Sequence, residues 1–124
     1  MHITSLGISS MQVDCQVTPD KITIIRPRHN FISMDDINNL DMWIGIMRNV
    51  GAQRIIYDLR HVRQINSMAI GLLMGLHAYL DAHDSRLILV NLNTNIKEMF
   101  LVSEFSLVFE IYDSVPDALT AMRS

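Results

Sequence analysis

The stretch Arg54–Leu80, RIIYDLRHVRQINSMAIGLLMGLHAYL, decides the fold. Its opening, Arg54 to Leu59, is a continuous apolar run interrupted only by Asp58 near its end. Such a strand is apolar on both faces, so it belongs in the middle of a sheet that is covered on both sides. A short basic loop follows, with Arg60, His61 and Arg63. Asn66-Ser67 then opens a long apolar helix that reaches about His83. First-turn N–H groups lack intrahelical acceptors, and the helix dipole is positive at that end. A hydroxyl placed there is presented where negative charge is favoured. Ser67 is therefore either a plain helix cap or the site's reactive residue, and Asp58 beneath the loop is the loop's structural support.

Outward from this unit, the same alternation repeats. Downstream, Arg86–Asn91 (RLILVN) is a second fully apolar strand, and Thr94 is placed to cap a short helix through Leu101. Leu107–Ile111 reads as a short strand, and Ser114-Val115-Pro116-Asp117 starts a last helix, with proline in the first turn and an acid three places after the cap. Upstream, Met11–Val17 alternates apolar and polar residues and Lys21–Arg26 is rich in β-branched residues, with turn chemistry between them. This is a hairpin, ended by Pro27. A helix from about Asp35 to Asn49 carries Ile37, Leu40, Ile44 and Met47 at helical spacing, with Asp35 and Asp36 at its positive end and Val50-Gly51 as its stop. Residues 1–10 are irregular and expected to be loose, leaving residues 11–123 as one domain. Strands alternating with helices after the hairpin require mostly parallel pairing. The expected fold is a single α/β domain: a central mixed sheet of about five strands with about four helices.

Composition narrows the function. The chain has 124 residues, with 49% hydrophobic and 19% charged residues and a net charge of −3. That balance suits an ordinary globular domain and gives no reason to expect nucleic acid or a membrane surface as partner. The single Cys15 excludes an internal disulfide, suits a reducing cytoplasm and reads as a small buried hydrophobe. No signal peptide is visible, and the apolar helix near Ile70 is interrupted by His77 and Asp81 before it could span a bilayer. Enzyme motifs are missing: there is no P-loop, no G-x-G-x-x-G, no G-x-S-x-G elbow, and no histidine pair at metal-ligand spacing. No cofactor, metal or catalytic residue is expected.

Taken together, IIYDL (Ile55–Leu59), NSMAIG (Asn66–Gly71), LILVNL (Leu87–Leu92) and the tail LVFEIYDSVPDAL (Leu107–Leu119) resemble the STAS domain of anti-sigma factor antagonists. In that pattern an apolar strand ending in Asp is followed by a loop, then by Asp-Ser-Ser-Gly-Leu-Gly opening a helix. The resemblance implies a STAS-like fold and a non-catalytic switch. Its partner would be an anti-sigma factor with serine-kinase activity, bound in the unmodified state, with a cognate phosphatase to reset it. The family's phosphorylated serine falls on Ser67. Asn66 stands where the pattern has Asp, and Met68-Ala69 where it has Ser-Gly. Asparagine caps a helix as well as aspartate does. A scaffold subunit of the same fold in a larger signalling or transport assembly, with no phosphoswitch, is the alternative.

Projected at about 100° per residue, the second helix gathers Ala69, Leu72, Leu73, Leu76 and Leu80 on one side. The other side holds Ser67, Ile70, Gly71, Met74 and Ala78, apolar and small where an exposed helix face should be polar. Either the domain covers this face or a partner does. Gly71 and Gly75 would let another backbone approach closely, and each costs about 1 kcal/mol of helix propensity relative to Ala. The expected partner face therefore comprises Asn66, Ser67, Met68, Ile70, Gly71, Met74, Gly75 and Ala78, with Arg60, His61 and Arg63 in the adjoining loop. Composition does not fix the oligomeric state.

Overall fold

A computed structural model describes residues 2–3 and 13–124. Six strands form one mixed sheet in sequential order. They are β1 (His2–Ile3), β2 (Val13–Val17), β3 (Ile22–Pro27), β4 (Arg54–Asp58), β5 (Arg86–Val90) and β6 (Glu110–Tyr112). The helices are α1 (Met34–Asn49), α2 (Ser67–Ala82), α3 (Thr94–Val102) and α4 (Val115–Arg123). The expected hairpin is β2–β3, antiparallel with Cys15 opposite Ile25, and β3 to β6 run parallel to one another. The short β1 pairs antiparallel with Gln16 and Val17 of β2, a strand that the sequence reading did not anticipate. Met11 and Gln12, expected to begin β2, lie outside the described residues, as do residues 4–10.

Side-chain alternation in the strands divides the core in two. Cys15, Ile25, Ile55, Tyr57, Leu87 and Leu89 face one side and are buried with α1, α2 and α3. Ile22, Ile24, Ile56, Ile88 and Val90 face the other side and are buried with α4. Connections between adjacent parallel strands that share one hand put their helices on one face. The last helix follows β6 and joins no further strand, so it is free to close the second face. This is why the apolar run of β4 is covered on both sides, as its sequence predicted.

Element ends follow local chemistry. Ser33 caps α1 by accepting from the Asp36 N–H at 3.1 Å, while the Asp36 carboxylate takes the Ser33 N–H in return at 3.1 Å. Gly51 ends α1 at φ 70°, a conformation that glycine adopts without a Cβ clash. Ser114 caps α4 through the Asp117 N–H at 3.2 Å, as its sequence predicted. Two expectations are corrected. The cap of α3 is Asn93, whose side chain takes the Ile96 N–H at 2.8 Å, and Thr94 is the first helical residue. The predicted strand Leu107–Ile111 is displaced to Glu110–Tyr112, because Phe105–Leu107 forms a 3-10 turn that stacks Phe105 and Phe109 on Phe100. Burying three aromatic rings in one cluster outweighs the β propensity of the Leu107-Val108 pair.

Candidate functional site

The loop between β4 and α2 lies at the carboxyl ends of the parallel strands, where open α/β sheets form their crevices. Its foundation is Asp58, the last residue of β4 and 0% exposed. The carboxylate accepts from Arg26 Nε at 2.7 Å, Arg60 Nε at 3.0 Å, the Arg60 N–H at 3.1 Å and Asn91 Nδ2 at 2.9 Å. Burial alone would push this carboxyl up. The hydrogen bonds from Asn91, Arg26 and the Arg60 main chain, together with the Arg26 charge, outweigh it and hold the group below its ordinary value. Asp58 therefore stays ionised and ties three neighbouring segments to the loop base.

The rest of the loop is held by apolar anchors and asparagines. Leu59, Val62 and Ile65 are buried. Asn30, in the connection before α1, accepts the N–H groups of Arg63 and Gln64 at 2.8 and 3.2 Å. Asn93 donates to the Arg63 carbonyl at 3.0 Å while capping α3. A single parallel bridge joins Phe31 to Ile65. The Phe31 N–H donates to Gln64, and the Phe31 carbonyl accepts from Asn66, both at 2.9 Å. A loop with this many cross-ties is a rigid platform.

Asn66 is the junction. Its Oδ1 caps α2 by accepting from the Ala69 N–H at 3.0 Å, and its Nδ2 donates to the Ile32 carbonyl at 3.2 Å. An aspartate could make the first bond but not the second. Asn66→Asp trades a dipole gain of about 0.3–1 kcal/mol against a lost hydrogen bond of about 1 kcal/mol and a new contact between two oxygens. The loss wins, so a net destabilisation of about 1 kcal/mol is expected in urea titrations, with the β3–α1 loop loosened in amide exchange.

Because Asn66 is the cap, Ser67 is not. Ser67 is the first helical residue of α2, it is exposed, and among the described residues its hydroxyl makes no hydrogen bond. The Ser67 and Met68 N–H groups have no intrahelical acceptor, because the first one, the Asn66 carbonyl, takes the Ile70 N–H. Met68 beside Ser67 is 53% exposed, and the segment tied to Asn66 through the Ile32 carbonyl carries two more exposed apolar side chains, Ile32 at 46% and Met34 at 61%. Ile32 and Met34 were not anticipated as part of this surface, because the segment that carries them is tied to Asn66 through the Phe31–Ile65 bridge and the Ile32 carbonyl, which no local pattern announces.

The expected outward face of α2 is corrected at Ile70, which is 2% exposed and belongs to the core, while Leu72, expected in the core, and Met74, expected outward, are both half-buried against it. The buried set is Ala69, Ile70, Leu73, Leu76 and Leu80, an arc of about 120° turned toward the flank that carries His77. That flank is covered by the aromatic cluster: the His77 ring meets Phe109 edge to face at 6.0 Å. On the opposite flank Arg48 lies 4.5 Å over the Tyr79 ring. The outward strip is Ser67, Met68, Gly71, Gly75 and Ala78, with Met74 half-buried at its edge. A Cβ added to Gly71 or Gly75 would meet nothing within 4 Å.

Arg60, His61 and Arg63 are exposed. With Arg28, His29 and Asn30 they line an open cleft of about 700 Å³. Among the described residues no group of three or more His, Cys, Asp or Glu side chains could hold a metal ion, and no helix is long and apolar enough to cross a membrane.

Residues 16–118 match the model of the STAS domain family. Comparison with curated proteins finds no match. Among solved structures, a candidate anti-sigma factor antagonist from Thermotoga maritima is 18% identical, superimposes with a TM-score of 0.81, and covers 89% of this chain and 93% of its own. An anti-sigma factor antagonist from Mycobacterium paratuberculosis is 18% identical with a TM-score of 0.80, covering 90% and 93%. The antagonist SpoIIAA in its unphosphorylated form is 19% identical with a TM-score of 0.70, covering 90% and 98%. The phosphorylated form of the same Bacillus protein is 18% identical with a TM-score of 0.68, covering 90% and 99%. At these identities the likeness speaks to the fold. With the family model spanning most of the sequence, the chain belongs to the STAS domain family.

Proposed function

We propose that this domain is a phosphorylation-controlled protein-binding switch, an anti-sigma factor antagonist that holds its partner while Ser67 is unmodified. The partner is an anti-sigma factor with serine-kinase activity, and a phosphatase restores the binding form. The domain is a substrate and not a catalyst, and it works in the cytoplasm. The observation that carries this reading is the state of Ser67: first residue of α2, exposed, relieved of capping by Asn66, and followed by exposed Met68, with exposed Ile32 and Met34 on the segment that Asn66 ties to the start of α2. Its hydroxyl has no internal task, while its surroundings are apolar where solvent alone would favour polar groups. SpoIIAA, which shares the fold, has been solved in both unphosphorylated and phosphorylated forms.

The glycines support the same reading. Gly71 and Gly75 lie on the outward strip with open space above them, so no packing within the domain requires them. Left alone, helix propensity would favour alanine by about 1 kcal/mol at each. Gly71→Ala and Gly75→Ala are therefore expected to stabilise the isolated domain by about 0.5–1 kcal/mol each. They are also expected to weaken partner binding, because the added methyl keeps the partner's backbone away. Chemical denaturation and a binding titration on the same variants check both halves. Stabilisation with unchanged affinity would remove the outer strip of α2 from the interface.

A further inference from the structure

We infer that the polar trough across the carboxyl ends of β3, β4 and β5 binds an extended acidic segment of a protein partner. The cleft between the β3–α1 and β4–α2 connections presents Arg28, Arg60 and Arg63 with His29 and His61. A second open cleft adjoins it, lined by Arg60, Arg63, Gln64 and Asn93 to Asn95. The two share Arg60 and Arg63, so these arginines form the ridge of one continuous track from Arg28 to the start of α3. Two strand spacings of about 4.8 Å make this track roughly 10 Å across the sheet, the span of about three extended residues. A single compact anion would use only part of it.

The charges are available. Arg60 commits its Nε to Asp58, leaving its terminal guanidinium nitrogens free for a second carboxylate. Among the described residues the Arg63 side chain has no ion-pair partner. Arg28 is held by Asp14 at 2.6 Å, but both side chains are substantially exposed, and such surface pairs exchange at little cost. The far end of the track reaches the N-terminus of α3, where the dipole also favours negative charge. The chain as a whole carries −3, so an acidic segment is repelled elsewhere and steered here. Among the described residues the walls hold no aromatic ring apart from the two imidazoles, so these walls offer a nucleotide base no stacking partner of that kind.

The test titrates the isotope-labelled full chain with a capped hexapeptide of alternating glutamate and aspartate, followed by amide NMR. A glutamine–asparagine peptide and inorganic phosphate serve as comparisons. The expected result is a set of shifts confined to residues 28–30, 60–64 and 93–95, lost when salt is raised from about 20 to about 300 mM. Arg63→Glu weakens binding at least about tenfold, while Arg48→Glu, an equal charge change at the far end of α1, leaves it unchanged. The titration uses only the free domain and the peptide, with no anti-sigma factor, kinase or phosphatase present, so failure here is separate from failure of the switch. Scattered shifts, equal binding of the neutral peptide, equal loss in Arg48→Glu, or saturation of the same residues by phosphate alone at equal affinity would each overturn the inference.

Discussion

Ser67→Asp is expected to leave the domain folded and to weaken partner binding at least about 100-fold. The two halves have different causes. Within the domain, a negative charge at the first helical position sits where the dipole favours it by about 0.3–1 kcal/mol, and the lost hydroxyl had no hydrogen bond. The melting temperature should hold steady or rise slightly. Across an interface, the same charge lies next to exposed Met68 and would be stripped of water by whatever covers that side chain. Leaving a charge unpaired in such a contact costs several kcal/mol, and each 1.4 kcal/mol is about tenfold in affinity. Phosphoserine carries nearly two charges and should act more strongly still. Ser67→Ala keeps the surface neutral and should bind as the wild type does, while being immune to the kinase.

Removal of Asp58 should have the largest effect on stability. Its carboxylate is fully buried and serves Arg26, Arg60 and Asn91 together. Asp58→Ala leaves the Arg26 guanidinium, whose side chain is 18% exposed, without its partner. Breaking a buried pair in this way costs about 3 kcal/mol, which for a domain of this size lowers the melting temperature by about 10 °C. The pH dependence has a definite sign. The folded-state value of Asp58 lies below its ordinary one, so its contribution is fully present above the unfolded value of about 3.9. It is lost as pH falls through the folded value. Wild type and Asp58→Ala should thus differ most near neutrality and converge in acid, as read by urea midpoints across a pH series. The β4–α2 loop should also lose amide protection in the variant, because the Arg60 N–H and the Asn91 amide lose their acceptor.

The order of elements was legible because each carries a local signature: apolar runs for β4 and β5, helical spacing for α1, and a cap with an early proline for α4. The place of Ser67 at the start of α2 was legible for the same reason, as the residue after a capping asparagine that opens an apolar helix. What lay beyond reach depends on contacts distant in sequence. The arc of α2 buried under Phe109 put Ile70 inside, and no wheel drawn from one helix could weigh that flank against the other. The segment that carries Ile32 and Met34 is tied to the start of α2 through the Phe31–Ile65 bridge and the Asn66 amide. Arg28 and His29 join Arg60 and Arg63 only because β3 and β4 end side by side. In each case local chemistry named the residue type while the sheet chose its neighbours.

The switch at Ser67 is tested most directly by one measurement. The wild-type domain is used to capture its partner, ATP is added to the washed complex, and the released domain is analysed by mass spectrometry for the position of phosphate. The expected result is phosphate on Ser67 alone, release of the domain as it is modified, and no capture by Ser67→Asp. Retention of the partner by Ser67→Asp, or phosphate at any other residue with Ser67 unmodified, would contradict it.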